Sequence, residues 1–506
     1  MINIKLVLKM KNIRYIFQSL AIATVIVLLG YSNISAQQNN TLFYMFKIPQ
    51  SNWLNPAIQH DCKIFAGIPV LSSIHLNYGN NGFAFNQLIH KGTGEQADSL
   101  VIDKDLFISK IRPVNYITLE NHINLLSGAY KWKDYYFSLY VSEKIDFKTS
   151  IPDDLIYMAN EFNGWFILDM IDGTENSMLG NVMDLNGLSL SFTHYREYAV
   201  GCSKVIGDKW TAGARAKILF GKANAWTTKN DLTLKTDDED FAYTINSDIE
   251  YNMSQPFYTI TEFYFDNAVD SIKIEGESNE DFNVSDYILN AHNLGFGIDL
   301  GGIYKLNEDI TLYGSLLDLG YIKWKDNITN LTQDNTFYYD GYDTETLIST
   351  DNSVLDALEG NVDSLLGVFQ DSLVRIFSID HTQESYISYL SPKLHLLGTY
   401  KYNDKMYFGI LARAELFQKK INPSLTLSCN TNFFDWLTAA GSYTIMYNTF
   451  TNVGLGFAAK YGPVQFYMLT DNIWAIWPQS TRNVNLRFGF NLLFGCGPKE
   501  TSTLID

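Results

Sequence analysis

Proline, cysteine and charged residues are scarce in this chain of 506 residues. It contains 11 Pro and 4 Cys, and charged residues make up 18% of the total. Aromatic residues reach 14%, and there is no collagen-like repeat, so a disordered or fibrous chain is excluded. Length alone suggests several domains, although large β-barrels exceed that estimate as a single unit. The many Tyr and Phe residues favour a β-rich protein, because aromatic side chains suit pleated surfaces.

Basic residues are also few relative to acidic ones, with 37 Lys and Arg against 55 Asp and Glu. A net charge of -18 repels phosphate, which disfavours a nucleic-acid partner. The cysteines, Cys62, Cys202, Cys429 and Cys496, lie far apart and form no CxxC pair. This spacing disfavours a zinc site or a disulfide framework. We interpret them as small apolar fillers, with a single disulfide as the alternative.

The one marked apolar run lies at the N-terminus. Basic residues precede the uncharged run Leu20 to Gly30. The small residues that a signal-peptide cleavage site requires follow, and the last of them is Ala36. This order predicts a signal peptide over residues 1–36, and a run of 11 residues is shorter than the ~20 that a spanning helix needs. No later segment reaches the ~18 apolar residues of a transmembrane helix candidate.

Apolar and polar residues alternate with period two over much of the remaining chain. One face of the last predicted strand carries Leu486, Phe488, Phe490, Leu492 and Phe494, and the other carries Asn485, Arg487, Gly489 and Asn491. We predict an all-β fold, a transmembrane antiparallel β-barrel of about 14 strands with 12–16 admissible. Sixteen segments are candidate strands. Four consecutive ones are 186–195, 196–206, 209–222 and 224–236. The alternative is a soluble β-sandwich, whose apolar face would form the core.

Tyr and Trp residues cluster near the predicted strand ends, which favours the membrane barrel over the sandwich. Such residues anchor barrels at the two membrane interfaces. They are Tyr130, Trp132, Tyr135, Tyr136, Tyr321, Trp324, Trp474 and Trp477.

The predicted organisation has four parts after these patterns are combined. The signal peptide (1–36) is followed by an N-terminal segment (37–57) that is too polar for lipid and too aromatic for a solvated tail. We expect this segment inside the barrel as a lumen plug. The barrel covers 58–495, and 496–506 form a C-terminal tail. Three- and four-residue apolar spacing predicts helical loop insertions near 152–182 and 351–377.

Several sequence strings resemble an outer-membrane β-barrel family of the Bacteroidota that is described only as a domain of unknown function. The family is distantly similar to FadL-type transporters and to PorV-like barrels. The strings are NWLNPA (52–57), EYAVGCSKVIGDKWTAGARAKILFGKAN (197–224), SLLDLGYIKW (315–324), TDNIWAIWP (470–478) and NLRFGFNLLFG (485–495). The resemblance implies an outer-membrane location and about fourteen strands.

By the same resemblance, the first string lies beside a plug that is folded into the lumen. The candidate lumen residues are Asn52, Trp53, Asn55, Pro56 and Ala57. Pro56 fixes its own φ and biases Asn55 away from helix, while the Asn55 amide can satisfy backbone groups. The alternative is an ordinary turn before the first strand, since Asn-Pro is a common turn signal.

The sequence contains no HExxH or GxSxG string, and we expect no enzymatic activity, cofactor or metal. The leading hypothesis is an outer-membrane barrel that binds or passes small apolar or amphipathic molecules. A non-enzymatic scaffold for a secretion or surface-attachment machine is the alternative, and a barrel hydrolase ranks third. The expected partners are outer-membrane lipid and either a hydrophobic ligand or secretion-machine proteins, with no nucleic acid.

Overall fold

The computed structural model describes most of the chain after the N-terminal run. The described residues are 39–82, 84, 86, 89–91, 99–102, 104–156, 182–237, 242–256, 258–266, 271–278, 283–339, 380–417, 420–446, 449–477 and 480–496. The predicted signal peptide, the helical insertion near 351–377, most of the insertion near 152–182 and nearly all of the C-terminal tail lie outside these residues.

The described residues are mainly in strands. The strands are β1 (Ile64–Gly67), β2 (Ile74–Asn80), β3 (Ile89–Lys91), β4 (Leu100–Ile102), β5 (Val114–Trp132), β6 (Tyr135–Pro152), β7 (Val182–Asp184), β8 (Ser189–Ile206), β9 (Trp210–Thr236), β10 (Tyr243–Ser254), β11 (Tyr258–Asp266), β12 (Ser271–Ser278), β13 (Asn293–Lys305), β14 (Ile310–Trp324), β15 (Ile328–Tyr339), β16 (Asp380–Thr382), β17 (Tyr386–Tyr389), β18 (Lys393–Lys401), β19 (Met406–Phe417), β20 (Lys420–Phe434), β21 (Leu437–Met446), β22 (Thr449–Tyr461), β23 (Val464–Thr470) and β24 (Asn483–Phe494). The helices are α1 (Asn40–Tyr44), α2 (Lys104–Ile108) and α3 (Val284–Leu289), with 3₁₀ turns at Pro49–Trp53 and Ile473–Ile476. Within the described part of the chain, no helix is long and apolar enough to span a bilayer.

The strands form a closed antiparallel barrel of fourteen strands, as predicted. β1 and β2 together make the first strand, since both pair with β5 on one side and with β24 on the other. β17 and β18 likewise share one position beside β14. Pairing of the last strand with the first leaves no free edge, which satisfies the backbone in a solvent that offers no hydrogen bonds.

At one rim of the barrel, neighbouring strands are joined by short turns. An example is Gly462-Pro463 between β22 and β23, where Gly462 has a φ of 56°. We call this rim the short-turn end. At the opposite rim, the 27-residue β9 continues beyond its pairing with β13 and pairs with β10, which pairs with β15. A spanning strand needs ~9–11 residues, so this part of the sheet extends past the bilayer.

The two faces of the wall have opposite polarity to those of a water-soluble protein. In β24, Asn485 and Asn491 are fully buried and point inward, whereas Phe494 is 45% exposed and points outward with the other predicted apolar residues. Val200 and Leu396 on other strands are likewise exposed outward. An apolar outer surface around a polar interior is the arrangement of a membrane barrel and excludes the sandwich.

Two predicted strand breaks are wrong. Segments 186–195 and 196–206 form the single strand β8, and 209–222 and 224–236 form the single strand β9. Between β8 and β9 the register shifts, since His194 pairs with Ala223 and Tyr195 pairs with Gly221, which leaves Lys222 of β9 as the extra residue of a β-bulge. A bulge inserts one residue and so reverses which face each later side chain of that strand takes. The alternation in β9 therefore changes phase near residue 222 and resembled a chain break, whereas the bulge leaves the alternation of β8 unchanged.

Of the Tyr and Trp residues predicted at the membrane interfaces, some are exposed and two are buried. Tyr130, Trp132 and Trp477 are exposed on the outside. Tyr136 and Trp324 are buried instead, and the Trp324 indole N–H donates to Ser388 Oγ at 2.8 Å. Closeness to a strand end does not determine which face a side chain takes, because direction alternates with every residue.

The interpretation of all four cysteines as fillers is also wrong. Cys62 and Cys496 form a disulfide although 434 residues separate them, whereas Cys202 and Cys429 are free. The reason is closure, because β1 pairs with β24 and brings the two Cα atoms to 4.0 Å. The bond joins the first and last strands at the short-turn end.

Candidate functional site

Residues 39–62, named here the inner segment, lie inside the barrel. Their contacts reach strands on opposite sides of the wall. The Tyr44 hydroxyl donates to the Thr426 carbonyl of β20 at 2.8 Å, and Gln50 Nε2 donates to Asn491 Oδ1 of β24 at 2.7 Å. The Asn55 amide donates to the Gly314 carbonyl of β14 at 3.2 Å. A segment that bonds to such distant strands occupies the interior of the closed sheet.

The start of the inner segment is fixed by a carboxylate that follows β23. Asp471 accepts hydrogen bonds from the backbone N–H groups of Asn40 at 3.1 Å and Thr41 at 2.7 Å. These N–H groups at the start of α1 have no partner within the helix, so the carboxylate satisfies them. Leu42 and Phe43 of the same helix are buried in two separate clusters of apolar side chains inside the barrel.

The string Asn55-Pro56-Ala57 packs against a position in the wall that has no side chains. Gly213 of β9 and Gly301 of β13 are direct partners in the sheet. A Cβ atom at Gly213 would lie 2.4 Å from the Pro56 carbonyl carbon, and one at Gly301 would lie 2.1 Å from Asn55 Oδ1. Two opposed glycines therefore allow the chain to approach the wall more closely than any other residue pair would.

Asn55 uses both ends of its amide at this contact. Its Nδ2 donates to the carbonyls of Gly302 at 3.3 Å and Gly314 at 3.2 Å, and its Oδ1 accepts the Ala57 N–H at 2.9 Å. The bond from the Ala57 N–H to Asn55 Oδ1 forms an Asx turn. The string is therefore a turn, and it also lies against the wall. Asn55 and Ala57 are both fully buried.

Asn52 is held by a buried arginine of β9. Arg215 Nη2 donates to the carbonyl and to Oδ1 of Asn52, both at 2.7 Å, and Nη1 donates to the Trp53 carbonyl at 3.2 Å. The same Nη1 lies 3.0 Å from Asp299 Oδ2. A fixed fork of donors suits two carbonyls and a carboxylate, and a lysine could not reproduce it.

Trp53 has a different environment from its neighbours. Its ring is half-buried, lies 5.4 Å from the Tyr140 ring and has the Arg487 guanidinium 5.8 Å from its centre. The ring faces a cavity between the inner segment and the wall. The structure thus brings all five predicted residues into the lumen, and their functional role stays a prediction.

Charged side chains line the interior beside the inner segment. Lys217 Nζ lies 2.7 Å from Asp299 Oδ1 and 2.6 Å from Asp318 Oδ1, and Lys393 Nζ lies 2.7 Å from Asp318 Oδ2. Buried charges are tolerated when they are paired and hydrogen-bonded, as here.

A second group of charges lies on β5, β6 and β19. Lys148 Nζ is 2.7 Å from Glu415 Oε1 and 3.5 Å from Glu120 Oε1, and Arg413 pairs with Glu415 at 2.6 Å. The interior is therefore a network of paired ions, in contrast to the apolar clusters around α1.

A cavity of about 130 Å³ lies between the inner segment and this network. Its lining combines aromatic rings, among them Trp53, Tyr140 and Tyr195, with cations such as Lys148 and Arg487. A cavity with both kinds of surface can hold a molecule that has an apolar body and a polar group.

Sequence reasoning missed the glycine pair and the charged residues of the lumen. One available signal was in β9, where Gly213, Arg215 and Lys217 alternate with small apolar residues. Charges are unfavourable on the lipid face of a barrel, so charges at every second position of a spanning strand indicate its inner face.

The closed sheet, its apolar outer surface and its polar, occupied interior define a membrane-spanning β-barrel. The chain belongs to a family of unknown function, DUF5723, whose model matches residues 56–471. The resemblance to an uncharacterised barrel family is thereby confirmed. No curated protein matches the chain by sequence.

Three of the solved structures to which the chain is similar are barrels of low sequence identity. The toluene transporter TbuX of Ralstonia pickettii is 9% identical, with a TM-score of 0.38 over 88% of this chain and 94% of that one. The toluene transporter TodX of Pseudomonas putida is 9% identical, with a TM-score of 0.34 over 91% and 94%. A FadL homologue of Pseudomonas aeruginosa is 10% identical, with a TM-score of 0.35 over 89% and 94%. Identities this low say nothing about a shared substrate.

Proposed function

We propose that this protein is an outer-membrane barrel that binds small amphipathic molecules in its lumen and passes them across the membrane. The cavity of about 130 Å³ carries the proposal, because it lies between the inner segment and the wall. A cavity of roughly 150 Å³ suffices for benzene in another protein, so a molecule with one ring is of suitable size. The charged part of the lining favours an amphipathic molecule over a purely apolar one.

The outer membrane is the proposed location, and lipid is the proposed partner of the outer surface. Closed barrels with short turns at one end and an apolar band are the form that outer membranes accommodate. The protein should fractionate with outer membranes and migrate on gels in a heat-dependent manner. Recovery from the soluble periplasm would contradict the proposal.

In this proposal the inner segment is a plug. Its bonds to β9, β14, β20 and β24 hold it across the interior, so passage requires its displacement. Deletion of residues 37–55 should raise single-channel conductance in planar bilayers while the barrel stays folded. Deletion also leaves Arg215 without its partners in the segment, so circular dichroism must establish that the variant is folded. Unchanged conductance in a folded variant would contradict the plug.

A scaffold is the second candidate function. The same bonds between the inner segment and the wall also support it. An inner segment fixed by a buried arginine and by Asp471 stiffens the barrel, as a platform for secretion-machine proteins requires. Under this hypothesis, the deletion should destabilise the barrel or release a partner without opening a pore. Mass spectrometry of proteins and lipids that co-purify from native membranes distinguishes the two functions.

Neither candidate includes a catalytic step. The barrel hydrolase remains the third hypothesis and would require turnover of lipid or peptide esters by the purified barrel. We expect no turnover above that of a barrel-free detergent control.

A further inference from the structure

Most of the Lys and Arg side chains that line the cavity have a carboxylate partner. Lys144 pairs with Glu197 at 2.8 Å, and Lys217 and Lys393 share Asp318. Lys148 and Arg413 share Glu415. Among the described residues, each of these five cations has a carboxylate oxygen within 4.0 Å.

Arg487 of β24 has none. It is 3% exposed and lines the cavity. Its Nε donates to Asn39 Oδ1 and its Nη1 donates to Ser73 Oγ, both at 2.8 Å. Within the part of the chain that the structure describes, its Nη2 has no hydrogen-bond partner, and no carboxylate lies within salt-bridge distance. A buried guanidinium without an adjacent anion is costly, because two hydrogen bonds to neutral groups do not neutralise a charge that has been removed from water.

The surroundings of Arg487 suit an organic anion better than an inorganic one. The Trp53 ring lies beside the guanidinium, with Tyr140 beyond it, so an apolar surface adjoins the cation. The guanidinium is a planar fork whose geometry matches a carboxylate. A carboxylate bound to Nη2 would neutralise the remaining buried charge, and a ring attached to it would lie against Trp53.

We infer that Arg487 binds the carboxylate of a small organic anion in the lumen cavity, with Trp53 in contact with its apolar part. This inference rests on the proposed function, because it names the chemical class that the cavity accepts. It makes Arg487 a binding residue and requires no displacement of the inner segment.

The test uses the intact barrel in detergent and isothermal titration calorimetry with three probes of similar size. Benzoate should bind, and benzyl alcohol and benzylamine should bind on the order of tenfold more weakly or not at all. Arg487→Gln should weaken benzoate binding by about 10–100-fold, and Arg487→Lys should restore part of it. Lys204→Gln removes a cation from the outer surface and should leave benzoate affinity unchanged.

Three results would overturn the inference: no benzoate binding to the folded wild type, equal binding of benzyl alcohol, or unchanged affinity in a folded Arg487→Gln barrel. The comparison of probes on the wild type needs no variant, so a folding defect at Arg487 does not prevent the test. Benzoate binding without an increase in conductance on plug deletion would contradict the conduit and leave the anion site intact. Increased conductance on plug deletion without benzoate binding would contradict the anion site and leave the conduit intact.

Discussion

Addition of one methyl group at Gly213 should displace the inner segment from the wall. The Cβ atom of Gly213→Ala would meet the Pro56 carbonyl carbon and oxygen at 2.4 Å and the Ala57 nitrogen at 2.6 Å. These atoms are backbone, so no side-chain rotation relieves the contact. The substitution itself suits a strand at least as well as glycine does, so its effect reports on the inner segment.

The size of the effect follows from the two ways in which the structure can relax. If the wall moves, overpacking typically costs about 1–3 kcal/mol. If the inner segment moves, the Asn55 amide loses its bonds to the carbonyls of Gly302 and Gly314, and an unsatisfied buried group costs about 1–3 kcal/mol. Either route lowers the free energy of unfolding by about 1–3 kcal/mol.

Gly302→Ala provides a matched control. Gly302 follows Gly301 directly, and a Cβ atom built on it has no neighbour within 4 Å. Denaturant unfolding in detergent should give a lower midpoint for Gly213→Ala than for the wild type, and Gly302→Ala should be unchanged. Proteolysis at Lys47 in the inner segment should become faster only in the first variant. Equal midpoints and equal proteolysis in both variants would show that Asn55-Pro56-Ala57 does not pack against this wall.

Two further predictions concern the wall itself. Phe490→Arg on the outer face of β24 should lower stability by about 2–4 kcal/mol if it lies near the bilayer midplane, whereas Phe494→Arg at the strand end should cost about 0–1 kcal/mol. Refolding into lipid vesicles measures both, and equal losses would contradict the assigned depth. Replacement of Cys62 and Cys496 by serine removes a link across 434 residues and should cost up to ~5 kcal/mol by loop-closure entropy. Cys202→Ser is the control, and unchanged non-reducing migration of the denatured double variant would show that the bond is absent.

The sequence allowed the barrel to be predicted because the period of two persists along most strands. In β24, every residue of the predicted apolar face from Leu486 to Phe494 points outward. The prediction of strand ends fails where a β-bulge shifts the alternation, as at Lys222 of β9 opposite His194. β15 was not predicted, since its polar residues on both faces give no alternation. That strand lies on the part of the sheet beyond the bilayer, where no lipid selects an apolar face.

The candidate site could be predicted only as far as local sequence allowed. Asn55-Pro56 indicates a turn, and the mixed polarity of residues 37–57 indicates an interior position. The pairing of Gly213 with Gly301 depends on the register between β9 and β13, which neither strand encodes alone. The same holds for the cysteines, whose partnership depends on closure of the barrel.

Arg487 illustrates why the chemistry of the lumen follows from closure rather than from composition. In sequence, Arg487 differs from Arg413 in lacking a carboxylate two residues away, but the sequence does not show whether another strand supplies one. In the closed barrel, Arg413 lies two residues from Glu415 on the same face of β19, so its charge is neutralised within its own strand. Arg487 has Asn485 and Gly489 at the equivalent positions of β24, and no carboxylate can compensate it from within the strand. The neighbouring Asp471 is bonded to the start of α1 by two backbone N–H groups. The inner segment thus takes the carboxylate that follows β23, and the guanidinium of the adjacent strand is left facing the cavity.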